Sequence, residues 1–109
     1  MNRNSNKLRD AVVSALITSA AGTGAAVAAA FAQFGLGTDT GGSIRGPATV
    51  NGIVALKPTH GLLPVTGVKL QSPALDTVGG FARTVDDVAF FIGALARHDL
   101  TPLRPTGLR

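Results

Sequence analysis

Apolar and polar positions along the chain fall into blocks of different period. The clearest block is helical. Val85, Val88, Ala89, Ile92, Leu95 and Ala96 recur at three- and four-residue spacing, which predicts one apolar face on a helix over 84–97. Thr84 is placed to cap it, Asp86 and Asp87 complement its positive end, and Arg97 and His98 close its negative end. Residues 24–32 are Ala-rich and apolar all round, with Val27 and Phe31 four apart. That predicts a buried internal helix, fed by a loop of small residues over 18–24. Apolar runs predict strands at 34–38 and at 53–56, the second ended by Lys57-Pro58-Thr59. Residues 43–50 predict a short helix around Arg45 and Pro47. Residues 11–17 fit helix or strand equally. The Gly- and Pro-rich stretch 60–80 predicts a long loop, and residues 1–10 a polar tail.

Composition narrows the class. The chain has 109 residues, enough for one domain at most, and its 45% hydrophobic content argues for a folded chain over a disordered one. The net charge of +4 sits mainly at the two ends, and no basic stripe interleaves with aromatics, so a nucleic-acid partner is not expected. The absence of cysteine excludes disulfides, thiolate catalysis and thiolate-held metals. The uncharged run between Asp10 and Asp39 resembles an export signal or a membrane span, with Ala30-Phe31-Ala32-Gln33 like a cleavage site. Ser14, Thr18, Ser19, Gly22, Thr23, Gly24 and Gln33 interrupt that run. The expectation is therefore no membrane partner and a cytoplasmic location, with export as the minority reading.

The candidate chemistry lies in Gly37-Thr38-Asp39-Thr40-Gly41-Gly42-Ser43-Ile44-Arg45-Gly46-Pro47-Ala48. A strand runs into a Gly-Gly turn and presents a hydroxyl. Glycine admits backbone conformations that let successive N–H groups converge on an oxyanion. Ser43 is thus a candidate nucleophile, with the N–H groups of Thr40, Gly41, Gly42 and Ser43 as oxyanion donors. Asp39 is placed to pin the turn by accepting backbone hydrogen bonds, and Arg45 to anchor it by charge-assisted ones.

The whole string closely resembles the signature of the amidase-signature family. So do Asn51-Gly52-Ile53-Val54-Ala55-Leu56-Lys57-Pro58-Thr59-His60-Gly61, Leu75-Asp76-Thr77-Val78-Gly79 and Ala82-Arg83-Thr84-Val85-Asp86-Asp87. The resemblance implies an α/β fold, of which this chain is a central fragment: part of a mixed sheet flanked by helices. It implies hydrolysis of the carbon–nitrogen bond of small-molecule amides through a serine acyl-enzyme, with no cofactor or metal. The family uses a Ser–Ser–Lys triad. Ser43 matches the nucleophile, and Ser19, 24 positions earlier, matches the middle serine that the family holds by a cis peptide. Ser19 would relay a proton between Ser43 and a neutral lysine. Thr18, Ala20, Ala21 and Ala55 depart from the family pattern. The triad lysine belongs far upstream of the middle serine, yet Lys7, in the polar tail, is the one lysine before Ser19. A truncated chain, inactive alone, is therefore expected, with a small exported or non-catalytic protein as the alternative.

A Ser43–His60–Asp76 triad is a weaker reading, because the nucleophile lacks the Gly-x-Ser-x-Gly context. Gly35-Leu36-Gly37 with Gly41 does not make a dinucleotide loop, since an Ala-rich helical run precedes it. Asp76, Arg83 and Asp86 are expected to make structural pairs, and Arg45 to anchor its turn rather than bind a substrate carboxylate. The division expected is a tail and lead-in at 1–17, a partial domain at 18–99 and a tail at 100–109. A central slab would also expose sheet edges and apolar faces, which predicts self-association.

Overall fold

The computed structural model describes residues 20–98. The expectations for both tails, for residues 11–17 and for Thr18 and Ser19 lie outside the described residues. Within them the order is α1 (Ala20–Ala28), β1 (Gly35–Asp39), α2 (Arg45–Asn51), β2 (Val54–Leu56), β3 (Thr77–Ala82) and α3 (Val85–Ala96). The strands lie in the order β1-β3-β2, and both pairings are antiparallel, with Gly37 opposite Gly79 and Ala55 opposite Phe81. The α/β class holds, and the three described strands form an antiparallel rather than a mixed sheet.

Side chains alternate across this sheet and build two cores. On one face Phe81 packs with Ala20 and Val27 of α1, and with Ile44 and Ala48 at α2. On the other, Val78 and Ala82 pack with Val88 and Ile92 of α3 and with Leu63. The sheet is thus sandwiched between α1/α2 and α3.

β3 is the central strand and is buried throughout, yet the sequence pattern predicts loop as far as residue 80. Two glycines conceal it, because glycine is depleted in strands. Their role is steric. A Cβ at Gly79 would sit 2.2 Å from the Leu56 carbonyl oxygen, and one at Gly80 would sit 2.9 Å from Ile92 Cδ1. No side chain fits between the ladder and the layers above and below it.

Helix α1 covers Ala20–Ala28, so Ala20 to Thr23 are helical instead of loop, and the helix ends four residues short of the predicted 32. It is buried along one stripe only, at Ala20, Gly24 and Val27, and Phe31 beyond it is 89% exposed. The all-round apolar character therefore reflects packing on one side and an uncovered face on the other. Arg83 donates from Nη1 to the carbonyl oxygens of Val27 and Ala32, both at 3.0 Å, and so caps the end of α1 rather than pairing with an acid. Helix α3 follows the sequence pattern more closely. Thr84 Oγ1 accepts from the Asp87 amide at 3.1 Å, and Val88, Ala89 and Ile92 are buried, while Val85 and Leu95 are exposed at its flanks. β2 is an edge strand and only half-buried. Among the described residues no helix is long and apolar enough to cross a membrane.

Candidate active site

The site forms where β1 ends. Asp39 is the last residue of that strand and its carboxylate is completely buried. Chain reversal after it needs Gly42, whose φ of 125° is strained for any residue with a Cβ. The reversed chain folds its amides back onto the carboxylate. Gly42 N–H donates to Oδ1 at 2.8 Å, while the Ile44 and Arg45 amides donate to Oδ2 at 3.3 and 3.4 Å. The Arg45 guanidinium adds bonds from Nε at 3.1 Å and Nη2 at 3.3 Å, and Lys57 Nζ, just past β2, lies 3.5 Å from Oδ1. Burial alone would push the Asp39 carboxyl up. Hydrogen bonds from Arg45 and from the amides of Gly42, Ile44 and Arg45 outweigh it and hold the group well below the usual carboxylate range. One anion thus ties β1, the turn, the start of α2 and the end of β2 together.

A second carboxylate fixes the facing wall. Asp76 is buried just before β3. It accepts from the Thr40 hydroxyl on Oδ1, and on Oδ2 from the Gln71 amide at 2.6 Å and the Ser72 amide at 3.0 Å. The Thr40 hydroxyl is the main cause holding its carboxyl below the ordinary value, followed by the Ser72 amide. This pin joins the end of β1 to the loop over residues 70–72.

Between the two knots lies an open cavity of about 660 Å³. Ser43, which is exposed, lines it together with Thr40, Pro47, Lys69, Gln71 and Asp76. Ala20 and Ala21 at the start of α1 line it too, and Ser19, their predecessor in sequence, lies outside the described residues.

The expected oxyanion donors need one correction. The Gly42 amide is committed to Asp39 and is not available to a substrate oxygen. Among the described residues no hydrogen bond engages the Thr40, Gly41 or Ser43 amide. The Ser43–His60–Asp76 arrangement is not assembled: His60 Nδ1 contacts Thr77 Oγ1 at 3.3 Å, and Asp76 receives Thr40, Gln71 and Ser72. The sequence reading gives neither Lys57 nor Lys69 a part in the site. One proves part of the Asp39 knot and the other part of the cavity wall. For Lys57 the available signal is its place at the end of an apolar run. Nothing in the loop sequence marks Lys69.

Known proteins resemble this chain over most of its length. The amidase family profile matches residues 18–105. A glutamyl-tRNA(Gln) amidotransferase subunit from Picosynechococcus sp. is 52% identical over 81 residues, covering 74% of this chain and 17% of that protein. The protein so named in Gloeobacter violaceus is 50% identical over 90 residues, covering 83% of this chain and 18% of its own length. A crystal structure of an amidase superposes with a TM-score of 0.73 at 40% identity, over 78% of this chain and 19% of that one. The chain spans less than a fifth of the length of each of these relatives.

Proposed function

This chain belongs to the amidase family, and on that premise we propose that it carries the nucleophile of an enzyme that hydrolyses small-molecule amides. Ser43 Oγ attacks the amide carbonyl carbon and gives up its proton, and the carbonyl oxygen becomes an oxyanion. The Thr40, Gly41 and Ser43 amides are the donors left to receive that oxyanion. Collapse expels the amine, which takes a proton, and water then releases the acid from the acyl-enzyme. In the Ser–Ser–Lys scheme that the resemblance implies, Ser19 carries the proton between Ser43 and a lysine.

The observation that supports this reading most is the Asp39 knot: it sets the Ser43 turn at a cavity with three uncommitted amides alongside. The base is a separate matter. Lys57 is bound to Asp39, and Lys69 is solvent-exposed, whereas a lysine acting as base must be neutral. Among the described residues neither fills that role, so the isolated chain is expected to turn over amides slowly or not at all. A cytoplasmic location forms part of the proposal, with the cysteine-free sequence as its support.

Propylboronic acid tests the site without needing turnover, because boron adds to a serine oxygen and presents a tetrahedral anion to nearby donors. In amide NMR spectra it should shift Gly41 and Ser43, and Ser43→Ala should abolish the shifts. Equal shifts in Ser43→Ala, or none in the parent chain, would refute the proposal.

A further inference from the structure

The outward face of α3 carries opposite charges at its two ends and an apolar centre. Asp86, Phe90, Ala94 and the C-cap Arg97 recur at four- and three-residue spacing and share this face, with Asp87 beside them. All five are exposed, while Val88, Ala89 and Ile92 turn the other side of the helix into the core. Among the described residues none of the three charges on this face has an ion-pair partner. Phe90 is a large apolar ring left in the open, yet it is held in place. Its centroid lies 6.5 Å from that of Phe34, which stacks on Phe91 at 4.7 Å. An aromatic anchor fixed before contact loses little freedom on docking.

We infer that this face docks a second copy of the chain, with the two α3 helices packed antiparallel about a twofold axis. A twofold interface must be complementary to itself, and this face is. With the copies running in opposite directions, each Phe90 lands on the partner's Ala94, whose small side chain leaves room for the ring. The same register sets each Asp87 opposite the partner's Arg97 and aligns the two helix dipoles favourably. A parallel pair would stack acid on acid and base on base, and a partner of one charge sign would match one end alone. The contact is small, one helix from each copy, so the dimer is weak. No residue of α3 lines the Ser43 cavity, so the dimer leaves that cavity open and does not depend on the amide-site reading.

Sedimentation equilibrium of the full chain should show association that stops at two copies. Its dissociation constant should rise about fivefold when salt screens the two exposed ion pairs. Asp87→Lys sets like charges together at both ends and should weaken the dimer about tenfold, and Arg97→Asp should do the same. Mixing those two variants should restore association as a heterodimer. A nitroxide on His98→Cys, the sole thiol of a chain without cysteine, fixes the direction. In a mixture with isotope-labelled parent chain it should broaden the labelled Asp86 and Asp87 amides. Broadening at the labelled Arg97 instead would overturn the inference. So would association that survives Asp87→Lys unchanged, oligomers larger than two, or variants that fail to rescue each other. A chain that stays monomeric at every concentration, the result if another segment of the chain covers Phe90, would overturn it as well.

Discussion

Replacing Asp39 by Asn removes one charge and almost no volume, so its cost can be worked from the contacts. Asn keeps a single acceptor. Oriented toward Gly42 it preserves that bond, and its amide nitrogen then takes the place of Oδ2. There it meets three donors, the Ile44 amide, the Arg45 amide and Arg45 Nε, at 3.1 to 3.4 Å. Lys57 and Arg45 also lose their counter-charge. Breaking a buried ion pair from one side costs about 3–5 kcal/mol, and the largely exposed Arg45 places this case at the lower end, about 3 kcal/mol. For a domain of this size that lowers Tm by about 12–24 °C.

The pH dependence has a definite sign. The folded Asp39 carboxyl titrates below its ordinary value of 3.8, so in acid the unfolded chain takes up the proton first. Its stabilisation is complete above that value and is lost as the pH falls toward the folded value. Between pH 5 and about pH 2.5 the parent should lose about 2 kcal/mol that Asp39→Asn does not have to lose. Thermal melts followed by circular dichroism across that range check both figures. A Tm for Asp39→Asn within about 4 °C of the parent at neutral pH, or a gap between them that stays constant into acid, would refute the reasoning.

Other positions give sharper contrasts. Gly79→Ala drives a methyl group to 2.2 Å from the Leu56 carbonyl oxygen and should cost about 3 kcal/mol or more in urea unfolding, whereas Gly46→Ala meets nothing within 4 Å in α2 and should gain about 0.5–1 kcal/mol. Thr84→Ala removes the cap on α3 and should cost about 1 kcal/mol, read from the same denaturation curves. Phe90 is 71% exposed on α3, so sedimentation velocity should show concentration-dependent association that Phe90→Ser weakens; a monomer at every concentration for both chains would count against the uncovered face as a sticky one.

Local signals carry the sequence reading a long way and then stop. Helix α3 is legible because Thr84, the acidic first turn and the periodic apolar residues all act within one helix. The turn at Ser43 is legible because Asp39 and Gly42 are three residues apart. β3 is not, since Gly79 and Gly80 are present for clearances to Leu56 and Ile92, which lie far away along the chain. The onset of α1 is hidden for a related cause. Gly24 looks like a loop residue, but Pro47, Asn51 and Phe81 come within 3.5 to 3.6 Å of where its side chain would be, so it serves close helix packing. The Thr40–Asp76 bond spans 36 residues, and no local pattern announces a contact of that range.

The Asp39 knot also decides which side of the pocket yields. The floor that holds Ser43 is cross-braced from a strand, a helix and the end of a second strand by a single anion, so it cannot shift without tearing several bonds at once. The opposite rim, residues 69–72, belongs to no helix or strand and is moored to the floor through Asp76. Strain imposed on the cavity is therefore expected to be taken up in that rim, while the Ser43 side keeps its geometry.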